Sequence, residues 1–240
     1  MKASIQSIDG KKKKKMDLPE VFNTQYKPTL IKRAVVAIES RRYQPHGVSP
    51  RAGLNTSAEY VGRRRKYRAS IGTGSSHLPR IKPGGGGRGQ VRIVPQAKGG
   101  RRAHPPKVEK KIEKKLNKKE KKAAMCSCIA ATANKEVVEK RGYSLEGIEL
   151  PIIVEDKIQE LKKTKESLQT LQNLGLTKNL EKKKRIVIVG GGKACRNLPG
   201  IQVIDVEEMN PETLAPGTHP GVLTVWTESA IRRVGEKYDS

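Results

Sequence analysis

The chain has 240 residues, with 50 Lys and Arg against 24 Asp and Glu, a formal net charge of +26 at pH 7. Such an excess goes beyond what solubility needs and requires a polyanionic partner. Nucleic acid suits best, because each neutralised phosphate releases condensed counterions; an anionic membrane surface is the rival. A hydrophobic content of 35% is low for one compact domain of this length, so part of the chain is expected to lie outside any core.

No run of 18 apolar residues occurs, and residues 1–10 lack the apolar centre of a signal peptide, so a cytoplasmic protein with no membrane association is expected. Three cysteines, an odd number, argue against a disulfide framework and for a reducing compartment. Phe, Trp and Tyr together supply eight residues, so few rings are available for stacking bases. Binding through phosphates and shape is therefore favoured over single-strand reading.

In chain order, residues 2–8 and 15–19 read as two short strands around the turn at Asp9-Gly10. Lys11 to Lys15 then belong to the turn, solvated or touching phosphate. Pro28 opens a helix, because the first helical turn tolerates a missing N–H, and Leu30, Ile31, Ala34, Val35 and Ile38 repeat at helical spacing.

Residues 43–106 break the pattern. They hold thirteen Lys and Arg, one acidic residue (Glu59), twelve Gly and seven Pro, without an apolar period of 2 or 3.6. A segment so composed cannot bury a core of its own, and its length within a folded protein argues for function rather than for a plain linker. Glycine lets backbone approach a crowded phosphate surface, proline limits the freedom lost on ordering, and arginine grips phosphate with a planar fork. The tetraglycine at 84–87 reads as an RNA-hugging turn or a flexible spacer.

Beyond this segment, Asn117 and Glu120 stand at capping-box spacing, and a helix runs through Ala123, Ala124, Ile129, Ala130 and Ala131. Its lysine-dense first half, residues 107–122, also carries Glu109, Glu113 and Glu120, so some lysines are expected to pair along the helix. A buried strand follows at 150–154. Ile158, Leu161, Leu168, Leu171 and Leu174 then mark a helix stopped by Gly175. Residues 185–189 read as a strand, 194–198 as a short helix and 202–206 as a strand. Asn210-Pro211 caps a short helix, and a strand at 222–226 precedes a helix capped by Thr227.

Strands alternating with helices imply parallel pairing through crossovers. The expected fold class is α/β: a three-layer α/β/α body with a mainly parallel central sheet, formed by residues 1–42 plus 107–240, interrupted by a long extended basic loop at 43–106.

Several residues invite catalytic or cofactor readings. Val187-Ile188-Val189 followed by Gly190-Gly191-Gly192-Lys193 suggests a phosphate loop, but Ala194 stands where Ser or Thr is needed, and Cys195 where the dinucleotide pattern has its third small residue. A plain strand-to-helix turn is preferred. Cys126 and Cys128 point to different helix faces and have no Cys/His pair at zinc spacing, so they read as small core residues. His46, His77, His104 and His219 lie in loops outside any triad or zinc motif. Trp226 reads as core. No enzyme, cofactor, metal or small-molecule substrate is expected.

The sequence resembles the universal large-subunit ribosomal protein family usually called L four, in its archaeal form. The carrying motifs are Pro50-Arg51-Ala52-Gly53 with Thr56-Ser57-Ala58-Glu59, Val94-Pro95-Gln96, and Gly100-Arg101-Arg102-Ala103-His104-Pro105-Pro106-Lys107. Nearer the C-terminus come Asn197-Leu198-Pro199-Gly200, Leu214-Ala215-Pro216-Gly217 and Leu223-Thr224-Val225-Trp226-Thr227-Glu228-Ser229-Ala230. They follow the family's order along nearly the whole chain. The sequence ends just after its final helix without a long basic tail, which matches the archaeal form.

The resemblance implies an α/β body on the outside of the large subunit and an arm driven into rRNA, with its tip at the wall of the peptide exit tunnel. The implied partners are large-subunit rRNA, neighbouring large-subunit ribosomal proteins and, near the tip, the nascent polypeptide. The expected rRNA-binding residues are Arg51, Arg63, Arg64, Arg65, Lys66, Arg68, Arg80, Lys82, Arg88, Arg92, Gln96, Lys98, Arg101, Arg102, His104 and Lys107. Two stretches depart from the family pattern: Gly62 is followed by Arg63-Arg64-Arg65-Lys66, with residues 72–77 inserted further on, and only residues 181–184 remain of a longer basic stretch before the strand at 185–189.

Overall fold

A computed structural model describes residues 1–82, 89–182 and 184–239. The chain divides into two compact units, Met1–Arg42 with Glu113–Ser240, and Tyr43–Ile112. The first unit is the body.

Its elements are β1 (Lys2–Gln6), β2 (Lys12–Asp17), α1 (Pro28–Ser40), α2 (Lys118–Ala133), α3 (Lys135–Lys140), β3 (Ile152–Val154), α4 (Thr164–Asn173) and α5 (Thr177–Glu181). They continue with β4 (Ile186–Val189), β5 (Ile201–Ile204), α6 (Pro211–Leu214), β6 (Leu223–Thr227) and α7 (Glu228–Tyr238). The six strands form one sheet in the order β2-β1-β3-β6-β4-β5. Only the β1–β2 pair is antiparallel; every other pairing is parallel.

Burial on both faces explains why β4 is the unbroken apolar run Ile186-Val187-Ile188-Val189. Successive side chains point to opposite faces, so Val187 and Val189 join a core with Ile31 and Val35 of α1, Ile129 of α2 and Ile231 of α7. Ile186 and Ile188 join a second core with Val138 of α3 and Leu171 of α4. Helices thus cover both sides of the sheet, and the body has three layers. Trp226 is fully buried in the first core, with its ring edge-on to Phe22 at 5.5 Å between centroids.

The termini of the helices follow the sequence signals. Asn117 and Glu120 form the capping box of α2, Pro28 stands in the first turn of α1, and the Thr227 side chain accepts from the Ala230 N–H at the start of α7.

Four local readings change. Lysines 12–15 lie in β2 rather than in a turn. This strand is the sheet edge, and exposed lysines there discourage pairing with another chain. Lys12 and Lys13 each bind a carboxylate at 2.6 Å, Glu149 and Glu155. Hydrogen bonds from Lys12 and Ser4 hold the Glu149 carboxyl below its ordinary range.

The helix expected from Ile158 onward is instead a 3-10 turn at Asp156–Gln159 followed by α4, whose Leu168 is exposed. The lysine-rich half of the α2 reading is non-helical as far as Asn117; Glu113 there binds Arg41 at 3.0 Å rather than a lysine one turn away. The strand expected at 202–206 runs from Ile201 to Ile204, and α3 and α5 were not anticipated.

Candidate nucleic-acid interface

Tyr43–Ile112 contains sixteen Lys and Arg against two acidic residues, Glu59 and Glu109. Among its described residues Ser70 alone is buried, and none of its apolar side chains enters either core cluster. Its order comes from turns and two antiparallel single-residue bridges, Glu59 with Arg80 and Arg80 with Val91. Hydrogen bonds of 3.0–3.2 Å between backbone groups tie Glu59 to Arg80 and Ile81 to Gln90.

The expected RNA-binding residues fall into distinct environments. Arg80 is half-buried: its guanidinium donates to the Gly89 carbonyl at 3.2 Å and to the carbonyl and hydroxyl of Ser76 at 3.2 and 2.9 Å. Its Nε is buried without a partner among the described residues. Arg92 is also half-buried and donates to the Lys98 carbonyl at 3.1 Å and to Gln90 Oε1 at 2.9 Å. Gly99 lies so close to that guanidinium that a Cβ there would run into it. These two arginines tie neighbouring turns of the unit together through the carbonyls of Gly89, Ser76 and Lys98.

Lys82 pairs with Glu59 at 3.2 Å, and both side chains are more than half exposed. Such a pair contributes little by itself and leaves the lysine available to exchange partners. Arg68, half-buried, lies over the ring of Tyr67 at 4.8 Å from its centroid. Arg51, Arg63, Arg64, Arg65, Lys66, Gln96, Lys98, Arg101, Arg102, His104 and Lys107 are all exposed. Arg88 and the tetraglycine at 84–87 lie outside the described residues.

Within the 63–68 run, Arg65 (φ 62°) and Arg68 (φ 65°) are left-handed, an uncommon backbone for non-glycine residues, so the run is bent rather than helical or extended. Closely spaced exposed cations with few carboxylates nearby sustain a positive potential that attracts a polyanion. Glu59, singled out in the sequence as an acid and within a motif, has a role that the sequence alone does not assign. It was visible as the one acid in a run of cations, and its backbone joins the bridge to Arg80 while its carboxylate meets Lys82.

The glycine turn after β4 has the opposite character. A Cβ on Gly192 would stand 2.7 Å from the Gln159 carbonyl oxygen and 2.8 Å from that of Ile158, and one on Gly191 would stand 2.6 Å from Ile188 Cγ2. Gly190 (φ 77°) packs on Thr227 and Ala230. At the adjoining strand end, Asp156 accepts from the Ser229 N–H at 3.0 Å and from its hydroxyl at 2.7 Å. Protein atoms therefore fill the space beside each of these glycines, which serve close packing. Among the described residues no group of three or more His, Cys, Asp or Glu is placed to hold a metal, and no helix is long and apolar enough to cross a membrane.

A three-layer α/β body carrying an inserted, coreless cationic unit defines the class of protein. Residues 16–237 match the ribosomal protein L4/L1 family, and the chain belongs to that family, in its archaeal type. It is similar to the large ribosomal subunit protein uL4 of Methanoculleus marisnigri, 42% identical over 260 residues that cover 98% of this chain and 99% of that one. It is also similar to uL4 of Archaeoglobus fulgidus, 40% identical over 262 residues covering 98% and 99%. The uL4 of Methanocaldococcus jannaschii is 40% identical over 265 residues, the full length of both chains.

Proposed function

We propose that this chain is a structural constituent of the large ribosomal subunit. It binds large-subunit rRNA, supports its folding during assembly, sits beside neighbouring large-subunit proteins and contributes an extended loop to the wall of the peptide exit tunnel, where the loop meets the nascent polypeptide. The role is non-enzymatic, belongs to translation and places the protein in the cytoplasm.

The observation that carries the reading is the contrast between the two units. The body holds both hydrophobic cores. Tyr43–Ile112 has sixteen cations, two acids and no core, so its charge is offset fully only by an external polyanion. Within it, Arg51, Arg63, Arg64, Arg65, Lys66, Lys98, Arg101, Arg102, His104 and Lys107, with Gln96, meet RNA from exposed positions. Arg80 and Arg92 shape the unit, and Lys82, Arg68 and Arg88 add to its charge.

Sedimentation of a cell extract tests the reading. The protein is expected in particles that contain large-subunit rRNA at low salt and released from them as salt rises. A protein that sediments mainly free of such particles at low salt overturns the assignment.

A further inference from the structure

Tyr43–Ile112 contains a concave site formed by residues 48–54 and 101–109. Its two flanking segments are clamped together: the Val48 N–H donates to the Pro106 carbonyl at 3.2 Å, and a Cβ on Gly47 would stand 2.8 Å from Val108 Cγ2. Gly53, with φ 77°, lies so near Arg101 that an added Cβ would be 2.5 Å from its Cα. Between the segments is a cavity of about 500 Å³. Val48, Leu54 and Val108 line it, 46%, 41% and 63% exposed, together with Pro106. Arg101, Arg102, Lys107 and the acidic Glu109 also line it, and among the described residues none of the three cations is ion-paired to a carboxylate.

We propose that this groove is a seat for one unpaired nucleotide of RNA, its base against Val48, Leu54 and Val108 and its phosphates on Arg101 and Arg102. The proposal rests on the reading of Tyr43–Ile112 as RNA-binding and adds the form of RNA that this part of it selects. A phosphate track needs only exposed cations, as the run at 63–66 has, and apolar walls would be a liability there. An apolar concavity of a few hundred cubic ångströms is instead the size of a small-ligand site, and exposed apolar clusters mark binding surfaces. An apolar protein side chain would use the walls but leave the excess of three cations over the one acid, Glu109, unmatched. A nucleotide uses both, since its base has apolar faces and its backbone is anionic. Glu109, also in the lining, offers an acceptor for the amino group of a base.

The test uses the full chain and five RNA hairpins: a fully paired parent, and four derivatives carrying a single bulged A, G, C or U. Equilibrium binding is measured for the native chain, for the double variant Leu54→Ser, Val108→Ser, and for the triple variant Arg63→Ala, Arg64→Ala, Arg65→Ala. Leu54 and Val108 are exposed, so their replacement leaves the fold intact.

The native chain is expected to bind at least one bulged hairpin about tenfold more tightly than the parent. The groove variant should lose that preference while keeping its affinity for the parent, and the arginine variant should weaken all five hairpins together. Five affinities within about twofold of one another overturn the nucleotide seat but leave RNA binding intact. A bulge preference that survives Leu54→Ser, Val108→Ser also overturns it and moves the seat elsewhere. Failure to bind any hairpin at low salt overturns the RNA-binding reading itself.

Discussion

The three cysteines show how placement decides chemistry for one residue type. Cys128 is fully buried in α2, and that burial pushes its thiol up to about 12, with Cys126 adding to the rise. Cys195 is raised by burial as well, opposed by Ser167 and the Gly192 backbone. Cys126, two residues before Cys128 but on another face, is half-buried; burial raises its thiol and Lys122 opposes the rise. The thiolate is the nucleophile, so iodoacetamide at pH 8 is expected to label Cys126 first and to reach Cys128 and Cys195 only after unfolding. Peptide mapping by mass spectrometry distinguishes the three sites, and native labelling of Cys128 as fast as Cys126 would contradict the packing of α2. The raised thiol also sets a pH window. Stability from the neutral Cys128 is complete below the unfolded value of about 8.5 and is lost as pH climbs towards 12, because the unfolded chain releases its proton first.

Elements follow the same logic with more neighbours. The turn from β4 places Gly192 against the carbonyl oxygens of Ile158 and Gln159, which end the 3-10 turn after β3. Gly192→Ala is therefore expected to destabilise the body by about 1–3 kcal/mol through overpacking. Urea unfolding measures the loss; isothermal titration with ATP should give no saturable heat for the native chain or the variant, and tight ATP binding abolished by the substitution would restore the phosphate-loop reading. The strands were legible in the sequence because a sheet buried on both faces leaves continuous apolar runs such as 186–189, and capping chemistry at Asn117 and Thr227 marked two helix starts. The helix read from Ile158 was not, because the residues share a spacing but not a face: Ile158 closes into a separate turn, and Leu168 points outward. The six- and five-residue helices α3 and α5 are too short to show a period at all. Lysine has a favourable helix propensity, so 107–117 reads as the beginning of α2, whereas the helix starts only after its cap at Asn117.

At the scale of the whole molecule, composition marks residues 43–106 as a cationic stretch, yet it treats the arginines as equivalent. Arg80 and Arg92 differ from Arg63 only through the turns that bring Ser76, Gly89, Gln90 and Lys98 to them, and no spacing rule encodes such turns. Both cores are built wholly from residues of Met1–Arg42 and Glu113–Ser240, so the body has hydrophobic cores of its own. Deleting residues 62–89 is then expected to leave a body that melts cooperatively within a few degrees of the full chain, as monitored by circular dichroism. The same deletion removes the exposed Arg63, Arg64, Arg65 and Lys66. At about 0.7–0.9 per phosphate contact, loss of those four alone should lower the slope of log K against log salt by about 3 for large-subunit rRNA. A slope unchanged by the deletion would mean that these cations face solvent in the complex and that the body's own lysines, such as those at the start of α2, carry the binding. A truncated body that fails to melt cooperatively would show that the cationic unit is part of the fold it interrupts.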